Sequence, residues 1–427
     1  MKKTISLFLL AIAVMLATSG CSGSNKAKTT ELTLWFGLNA EEASKPKSEW
    51  WVTQSIARFE AAHPGTKINH VVSVKGDQVI SDLKAATLAG SGPDVADIFN
   101  GPVLISVKES LLPLNSYLTA EDKAGLVGWE TVAEDMDPTK TIYGIPFGGQ
   151  SVTGFAYNRS LIAKAGLNFD ANPPRSLPEF YAALDKIKTA GILPIHTDES
   201  YPVLLLYVLS MWWVQQTESA GILAHNRLET KYVNDVGFIN TLTEYQKFYQ
   251  NGWINRDAAT SSDTNTIFLQ GGSAIHPIGN WDVDNFSTIL GKDFGILPIP
   301  SYTAEGYSKK TSMGGVGAAE IVTSFTKNKD LAVALAKHLT SKSEQVSYCT
   351  VNFMIPARTD ITPAEIGRAD NPYFNEMASW IPSIYYWADN CMDSVYATLF
   401  YNEPVNVLVG RISPRDFAAR LDAAMAE

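Results

Sequence analysis

Metal-binding and redox side chains are scarce in this sequence. It has three cysteines with no Cys-x-x-Cys pair, and its six histidines are scattered along the chain. A disulfide-scaffolded fold needs more cysteines, and a zinc site needs clustered Cys or His ligands. The sequence therefore predicts neither a metal centre nor a cofactor.

A basic surface is also lacking. The chain carries 34 Lys and Arg against 44 Asp and Glu, a formal net charge of −10. No stretch gathers the basic side chains that bind a phosphate backbone. We therefore expect no nucleic-acid partner.

Motifs of common catalytic sites are missing as well. The sequence contains no Gly-x-Ser-x-Gly, His-Glu-x-x-His or Gly-x-Gly-x-x-Gly, and the glycine-rich segment 314–317 lacks the Lys that follows in a phosphate-binding loop. We expect a protein that is not an enzyme. One enzymatic alternative stays open, a carbohydrate hydrolase, which needs two carboxylates ~5–9.5 Å apart. Asp97, Glu199, Asp282 and Asp284 could supply such a pair.

Hydrophobic and aromatic residues are plentiful. They make up 45% and 11% of the sequence, a composition that disordered chains do not have. A chain of 427 residues also exceeds the ~250–300 residues at which a single hydrophobic core stops growing. The composition and length together predict two folded units.

The first thirty residues predict export. Lys2 and Lys3 precede an apolar run at residues 5–17, which fits a secretory signal and is too short to span a bilayer. The small residues 17–20 before Cys21 resemble the lipobox of bacterial lipoproteins, although Thr18 stands where Leu is usual. We expect a signal peptide at 1–20 and a lipidated Cys21 with a flexible tether at 21–30. The alternative is a plain signal peptide with an incidental cysteine.

The rest of the chain alternates strand and helix patterns. Strand-like segments are predicted at 31–36, 67–74, 94–99, 153–158 and 192–195, and helical periodicity at 77–89, 235–249, 328–339 and 413–425. Ser176 and Glu179 form a capping box that predicts the start of another helix. Alternation of this kind indicates an α/β fold with largely parallel sheets flanked by helices, here in two lobes.

Short motifs along the whole mature chain resemble the family 1 extracellular solute-binding proteins of ABC importers, the maltose-binding-protein-like group that mostly carries sugars. They occur in the order typical of that family. The motifs are Leu32–Trp35, Ile56–Ile68, Ser91–Val95, Tyr143–Pro146, Ala156–Arg159, Ala165–Leu167, Gly271–Ala274, Gly279–Trp281, Asp293–Gly295, Gly314–Gly317 and Lys327–Thr340. The segment Pro173–Leu177 departs from the family, which usually has Thr-Trp there.

The resemblance implies a two-lobed, periplasmic-binding-protein-like (Venus flytrap) fold that closes on a solute. It places one lobe at 31–151 plus 319–379 and the other at 152–318 plus 380–427. Chain crossings are expected near 149–153, 314–319 and 380–383. It also implies a lipid-anchored monomer outside the cytoplasmic membrane, which delivers a mono- or oligosaccharide to membrane permease subunits.

Sugar recognition needs aromatic faces for stacking and polar side chains for hydrogen bonds. The positions similar to the family's ligand-facing ones are Trp35, Asn39, Asn100, Gln150, Ser151, Tyr201, Trp281, Asp282, Tyr386 and Trp387. For Trp281 and Trp387, a position in a binding pocket is the favoured interpretation. A core position is the favoured interpretation for the remaining tryptophans considered, Trp35, Trp212, Trp213, Trp253 and Trp380.

Two questions stay open at this level. The exported pair Cys349 and Cys391 permits a disulfide without requiring one. The solute could also be other than a sugar, such as a polyamine or a polyol phosphate. Acid-rich or Lys/Arg-rich pockets would mark those solutes, and the candidate residues are mainly neutral and aromatic.

Overall fold

The computed structural model describes residues 29–38, 43–73, 77–304, 306 and 311–424. The strands are β1 Thr30–Phe36, β2 Thr66–Val72, β3 Val95–Phe99, β4 Gly144–Asn158, β5 Ile275–Gly279, β6 Phe294–Leu297, β7 Ser312–Val322 and β8 Ile384–Tyr386. The α-helices are α1 Trp51–Ala62, α2 Asp77–Ala89, α3 Pro102–Ile105, α4 Ala120–Lys123, α5 Arg159–Lys164, α6 Leu177–Thr189, α7 Ser210–Asn226, α8 Val236–Gln250, α9 Thr264–Leu269, α10 Val283–Leu290, α11 Lys329–Leu339, α12 Lys342–Val351, α13 Pro372–Trp380, α14 Ser394–Asn402, α15 Pro404–Leu408 and α16 Pro414–Ala424. A π-helix at Leu205–Leu209 leads into α7.

The first lobe is built on β1, β2 and β3. β1 lies between the other two and is parallel to both. Its alternate residues Leu32, Leu34 and Phe36 are buried, as a half-buried strand requires. Helix α1 covers this face with Val52 and Phe59, among others.

The second lobe is built on β5 and β6, which both pair antiparallel with β4. Its core is aromatic: Phe155 of β4 and Phe180 of α6 lie 5.1 Å apart by ring centroid. Trp212 and Trp213 of α7 are fully buried there. Their indoles donate to the carbonyl of Pro300 and to the carboxylate of Asp235. The predicted core positions of these two tryptophans are therefore confirmed.

Strands β4 and β7 run through both lobes side by side. The segment Gly144–Phe147 pairs with β7 in the first lobe, and Gln150–Val152 pairs with it where the lobes meet. The register shifts between Phe147 and Gln150, at two glycines with positive φ, Gly148 and Gly149. The chain order across the sheet is β2-β1-β3-β7-β4-β5.

The two-lobed α/β fold is confirmed, but the sheet is mixed where largely parallel pairing was predicted. Strand–helix–strand alternation does give parallel pairs at β1, β2 and β3. β7 then returns antiparallel to β3 and β4, and β4 is antiparallel to β5 and β6. The predicted strand at 192–195 is also wrong, because only Ile195 forms isolated bridges, to Ile254 and Ile275.

A third hydrophobic cluster joins α12 and α13 to the β5–β6 region. Phe374 and Met377 of α13 pack there with Ile278 of β5 and Phe294 of β6. Trp380 belongs to the same cluster, and Trp253 to the core of the second lobe, as predicted for both. The lobe boundaries stay a prediction.

Cys349 and Cys391 are both buried and free. They lie in different hydrophobic clusters, so the disulfide that the sequence permits is not formed. Within the described ranges, no helix combines the length and the apolar character that a bilayer crossing requires. Cys21 and the signal segment lie outside the described residues.

Candidate functional site

Three aromatic side chains of the second lobe meet in one cluster. Tyr207 lies 5.6 Å from Trp281 and 5.6 Å from Trp387, measured between ring centroids. The two indoles are 6.4 Å apart. Trp281 is 37% exposed, unlike the fully buried core tryptophans. We call Tyr207, Trp281 and Trp387 the aromatic cluster.

Three chain segments position this cluster. Trp281 follows β5 in a 3₁₀ turn, Trp387 follows β8, and Tyr207 lies in the π-helix before α7. The Trp281 indole lies directly over Gly279, where a Cβ would come within 2.2 Å of the ring. Gly279 has extended backbone dihedrals, so it is the missing side chain that allows this contact.

Two carboxylates lie beside the aromatic cluster. Asp282 accepts hydrogen bonds from the backbone of Gly279 and from the side chain of Trp281. Asp389 accepts one from the hydroxyl of Tyr401, at 2.8 Å. Burial raises the pKa of Asp282 to about 6 and raises that of Asp389. Loss of hydration is the dominant cause, because an apolar environment disfavours the ionised form.

A further aromatic pair extends the site along the second lobe. Tyr201, 47% exposed, lies 5.8 Å from Tyr401 by ring centroid. Its loop is held by Glu199, which accepts hydrogen bonds from Thr197, from the hydroxyl of Tyr245 and from the backbone of Leu204. The loop conformation is therefore fixed from inside the lobe.

The first lobe contributes Asn100 and Phe99 at the end of β3. The Asn100 side chain donates to Thr131 at 2.7 Å and to the carbonyl of Val316 at 2.6 Å. Its oxygen accepts from Asn390 of the second lobe at 3.5 Å, while neighbouring Phe99 remains 45% exposed. Asn100 thus joins β3 and β7 to the segment that carries Trp387 and Asp389.

A separate cavity of about 620 Å³ lies between the lobes along β4 and β7. Trp129 and Glu130 of the first lobe and Gln150 and Tyr386 are among its lining residues. The hydroxyl of Tyr386 donates to Glu130, which links the two lobes. Trp387, the next residue, packs in the aromatic cluster instead and does not line this cavity.

The predicted site residues thus fall into several groups. Trp281, Asp282 and Trp387 come together, while Tyr201 forms the neighbouring pair and Asn100 the contact from the first lobe. Gln150 and Tyr386 line the separate cavity. Ser151 pairs with Gly315 in the strand ladder. Trp35 packs, half-buried, on the core of the first lobe, and Asn39 lies outside the described residues.

Four residues near the cluster were missed by sequence reasoning: Tyr207, Asp389, Tyr401 and Phe99. Tyr207 is the one polar aromatic residue within the apolar run 203–209, a signal that could have marked it. Asp389 follows Trp387 by two residues. Nothing local distinguishes Tyr401, because its position depends on how α14 packs.

The model of a known protein family matches residues 54–373, well over half of the chain, and its description is bacterial extracellular solute-binding protein. The chain belongs to this family. The family predicted from the sequence motifs is therefore confirmed.

Two curated relatives of this solute-binding protein illustrate the range of the family. The galactooligosaccharide-binding protein of Bacillus subtilis (strain 168) is 26% identical over 374 residues, which cover 84% of this chain and 81% of the relative. The sn-glycerol-3-phosphate-binding periplasmic protein of Rhizobium meliloti (strain 1021) is 24% identical over 313 residues, covering 66% of this chain and 68% of the relative.

Solved structures of similar fold include a chitin oligosaccharide binding protein. It superposes on this solute-binding protein with a TM-score of 0.78 and 20% sequence identity, covering 94% of this chain and 100% of that one. At this identity the likeness establishes the fold.

Proposed function

We propose that this solute-binding protein captures an oligosaccharide between its two lobes and delivers it to the permease of an ABC importer. The observation that carries the proposal is the partly exposed aromatic cluster with two carboxylates beside it. Indole faces stack on the C–H faces of sugar rings, and carboxylates accept hydrogen bonds from sugar hydroxyls. The galactooligosaccharide-binding relative supports the same class of solute.

The local charge favours a sugar over a glycerol phosphate. Asp282 and Asp389 form no salt bridge with any cationic side chain in the part of the chain that the structure describes. A phosphate group would meet two carboxylates here that no described cationic side chain pairs with. Like charges at short range oppose binding, so an anionic solute fits this site poorly.

The length of the site favours a solute with more than one sugar ring. The Tyr201–Tyr401 pair is connected to the aromatic cluster through Asp389, which Tyr401 contacts. Two separate stacking surfaces suit two or more linked rings.

Binding between lobes also supplies the mechanism. A solute that touches both lobes only when they are closed binds the closed state more tightly, and this difference in affinity shifts the population toward it. We propose that the protein acts as a monomer, catalyses no reaction itself and presents its closed form to the permease. Export follows from the extracellular family, and attachment through a lipidated Cys21 belongs to the proposal.

Calorimetry with galacto-, manno- and chitin-oligosaccharides of two to five units tests this function. We expect one of these series to bind with one solute per chain, to raise the melting temperature and to be recovered uncleaved. Steady release of shorter sugars would favour a hydrolase, and binding of glycerol phosphate with no binding of sugars would overturn the proposal.

Tryptophan variants test the site. Trp281→Ala or Trp387→Ala should weaken binding by roughly 2–4 kcal/mol, the range of aromatic anchors at binding sites. Trp213→Ala serves as the matched core control and should instead cost ~3–5 kcal/mol of stability. Wild-type affinity in both Trp281 and Trp387 variants would show that the solute binds elsewhere.

A further inference from the structure

The hydroxyl of Tyr207, in the aromatic cluster, has no hydrogen-bond partner among the described residues. Its ring is enclosed by Trp281 and Trp387, and no residue of the described chain forms a hydrogen bond with the hydroxyl. Loss of hydration raises the pKa of Tyr207 to about 12. The side chain is only partly buried, so its hydroxyl is open to a hydrogen bond with a group supplied by the solute.

Two carboxylates lie near the Tyr207 hydroxyl. Among the described residues, the charges of Asp282 and Asp389 both disfavour ionisation of the Tyr207 hydroxyl. They reach it from different segments, one after β5 and one after β8. Their known partners are neutral donors: the Gly279 backbone, the Trp281 side chain and the Tyr401 hydroxyl.

Among the described residues, no cationic side chain offsets the negative charge of these two carboxylates. Within the described ranges, neither carboxylate forms an ion pair, and no Lys, Arg or His affects the ionisation of either one. Burying a charge is costly unless an opposite charge accompanies it. Closure of the two lobes over a solute would bury the two carboxylates further. The free-energy cost of burying their charge would therefore fall on the solute-bound state.

A cation on the solute would remove that cost. Ammonium groups are attracted to the faces of Trp and Tyr rings, and they donate to carboxylate and hydroxyl oxygens. The aromatic cluster offers three rings and a hydroxyl with no partner among the described residues, and two carboxylates lie beside it. We propose that the solute is an amino sugar, an oligosaccharide with a free, protonated amine on a ring bound between Trp281 and Trp387. The proposal rests on the oligosaccharide function and specifies its substrate class.

The experiment compares two solutes that differ only at the amine. Glucosamine oligosaccharides of two to five units are titrated against N-acetylglucosamine oligosaccharides of the same lengths, at pH 7, above the pKa of Asp282. We expect the free-amine series to bind at least about tenfold more tightly, because acetylation removes the positive charge. Raising the salt concentration should reduce this preference, since it depends on charge.

Carboxylate variants locate the origin of the preference. Asp282→Asn and Asp389→Asn each keep the side-chain shape and remove one negative charge, so each should reduce the preference for the free amine. Asp284→Asn is the matched control, since Asp284 is an exposed residue two positions beyond Asp282 and should leave the preference unchanged.

The outcomes separate this inference from the function on which it rests. Equal or tighter binding of the N-acetylated series, or binding of galacto- or manno-oligosaccharides alone, overturns the amino-sugar inference and leaves the oligosaccharide function intact. Failure of every oligosaccharide series overturns both. The comparison of solutes uses the unaltered protein, so it stands even if an Asn variant fails to fold.

Discussion

Glu199 lies wholly inside the second lobe, beneath the loop that carries Tyr201. Its carboxyl group accepts from Tyr245 at 2.6 Å and from the backbone of Leu204 at 2.9 Å. Loss of hydration nevertheless raises its pKa from 4.5 to about 7. The folded protein therefore holds the proton of this group more tightly than the unfolded chain does.

The raised pKa makes stability depend on pH. The stabilisation from Glu199 is complete below about pH 4.5, where both states are protonated, and is lost as the pH rises through about 7. At ~1.4 kcal/mol per pKa unit the loss is at most roughly 3–4 kcal/mol. Glu199→Gln cannot ionise, so its advantage over the native protein should grow between pH 5 and pH 8. Urea unfolding of both proteins at the two pH values measures this. Parallel pH profiles would contradict it.

Gly279 sets the position of Trp281 by having no side chain. In Gly279→Ala the new Cβ would lie 2.2 Å from the indole, so the ring must move. We expect oligosaccharide affinity to fall roughly tenfold or more, about 1.4 kcal/mol, with little change in melting temperature. Calorimetry and thermal unfolding check the two parts. Retained affinity would mean that the indole can bind from a displaced position.

At the scale of single elements, helices with strong local signals could be predicted from the sequence. The range 77–89 was correct for α2, and Ser176 with Glu179 marked the start of α6. The first half of β4 was missed, since Gly148 and Gly149 interrupt the alternation and only pairing with β7 extends the strand through them. Ile195 likewise depends on partners that are distant in sequence.

The start of α6 provides a test at this scale. The Glu179 carboxylate accepts from the backbone N–H groups of Arg175 at 2.7 Å and Ser176 at 3.1 Å. Glu179→Ala leaves these donors without that acceptor and should lower the free energy of unfolding by about 1 kcal/mol. Glu121→Ala, at an exposed position in α4, is the control and should change stability by no more than ~0.5 kcal/mol. Denaturant unfolding compares them, and equal effects would exclude the capping role.

At the scale of the whole molecule, only part of the site could be predicted from the sequence. Trp281, Asp282 and Trp387 could be named because each lies in a short motif that resembles the family. Gln150 and Tyr386 came from the same comparison, yet they line a separate cavity. Adjacent residues such as Tyr386 and Trp387 face different surroundings, a distinction that comes from the packing of β8 between lobes and has no local sequence signal.

The strands β4 and β7 have a consequence for folding, because each belongs to two hydrophobic cores at once. Along β4, Ile145 and Phe147 pack in the core of the first lobe, and Phe155 and Tyr157 in that of the second. Unfolding of either core would remove a strand from the other, so we expect that neither lobe folds independently. We expect a single calorimetric transition whose van't Hoff and calorimetric enthalpies agree. Two separate transitions would contradict this. A chain divided at the crossing would leave each half with an incomplete sheet and an open strand edge.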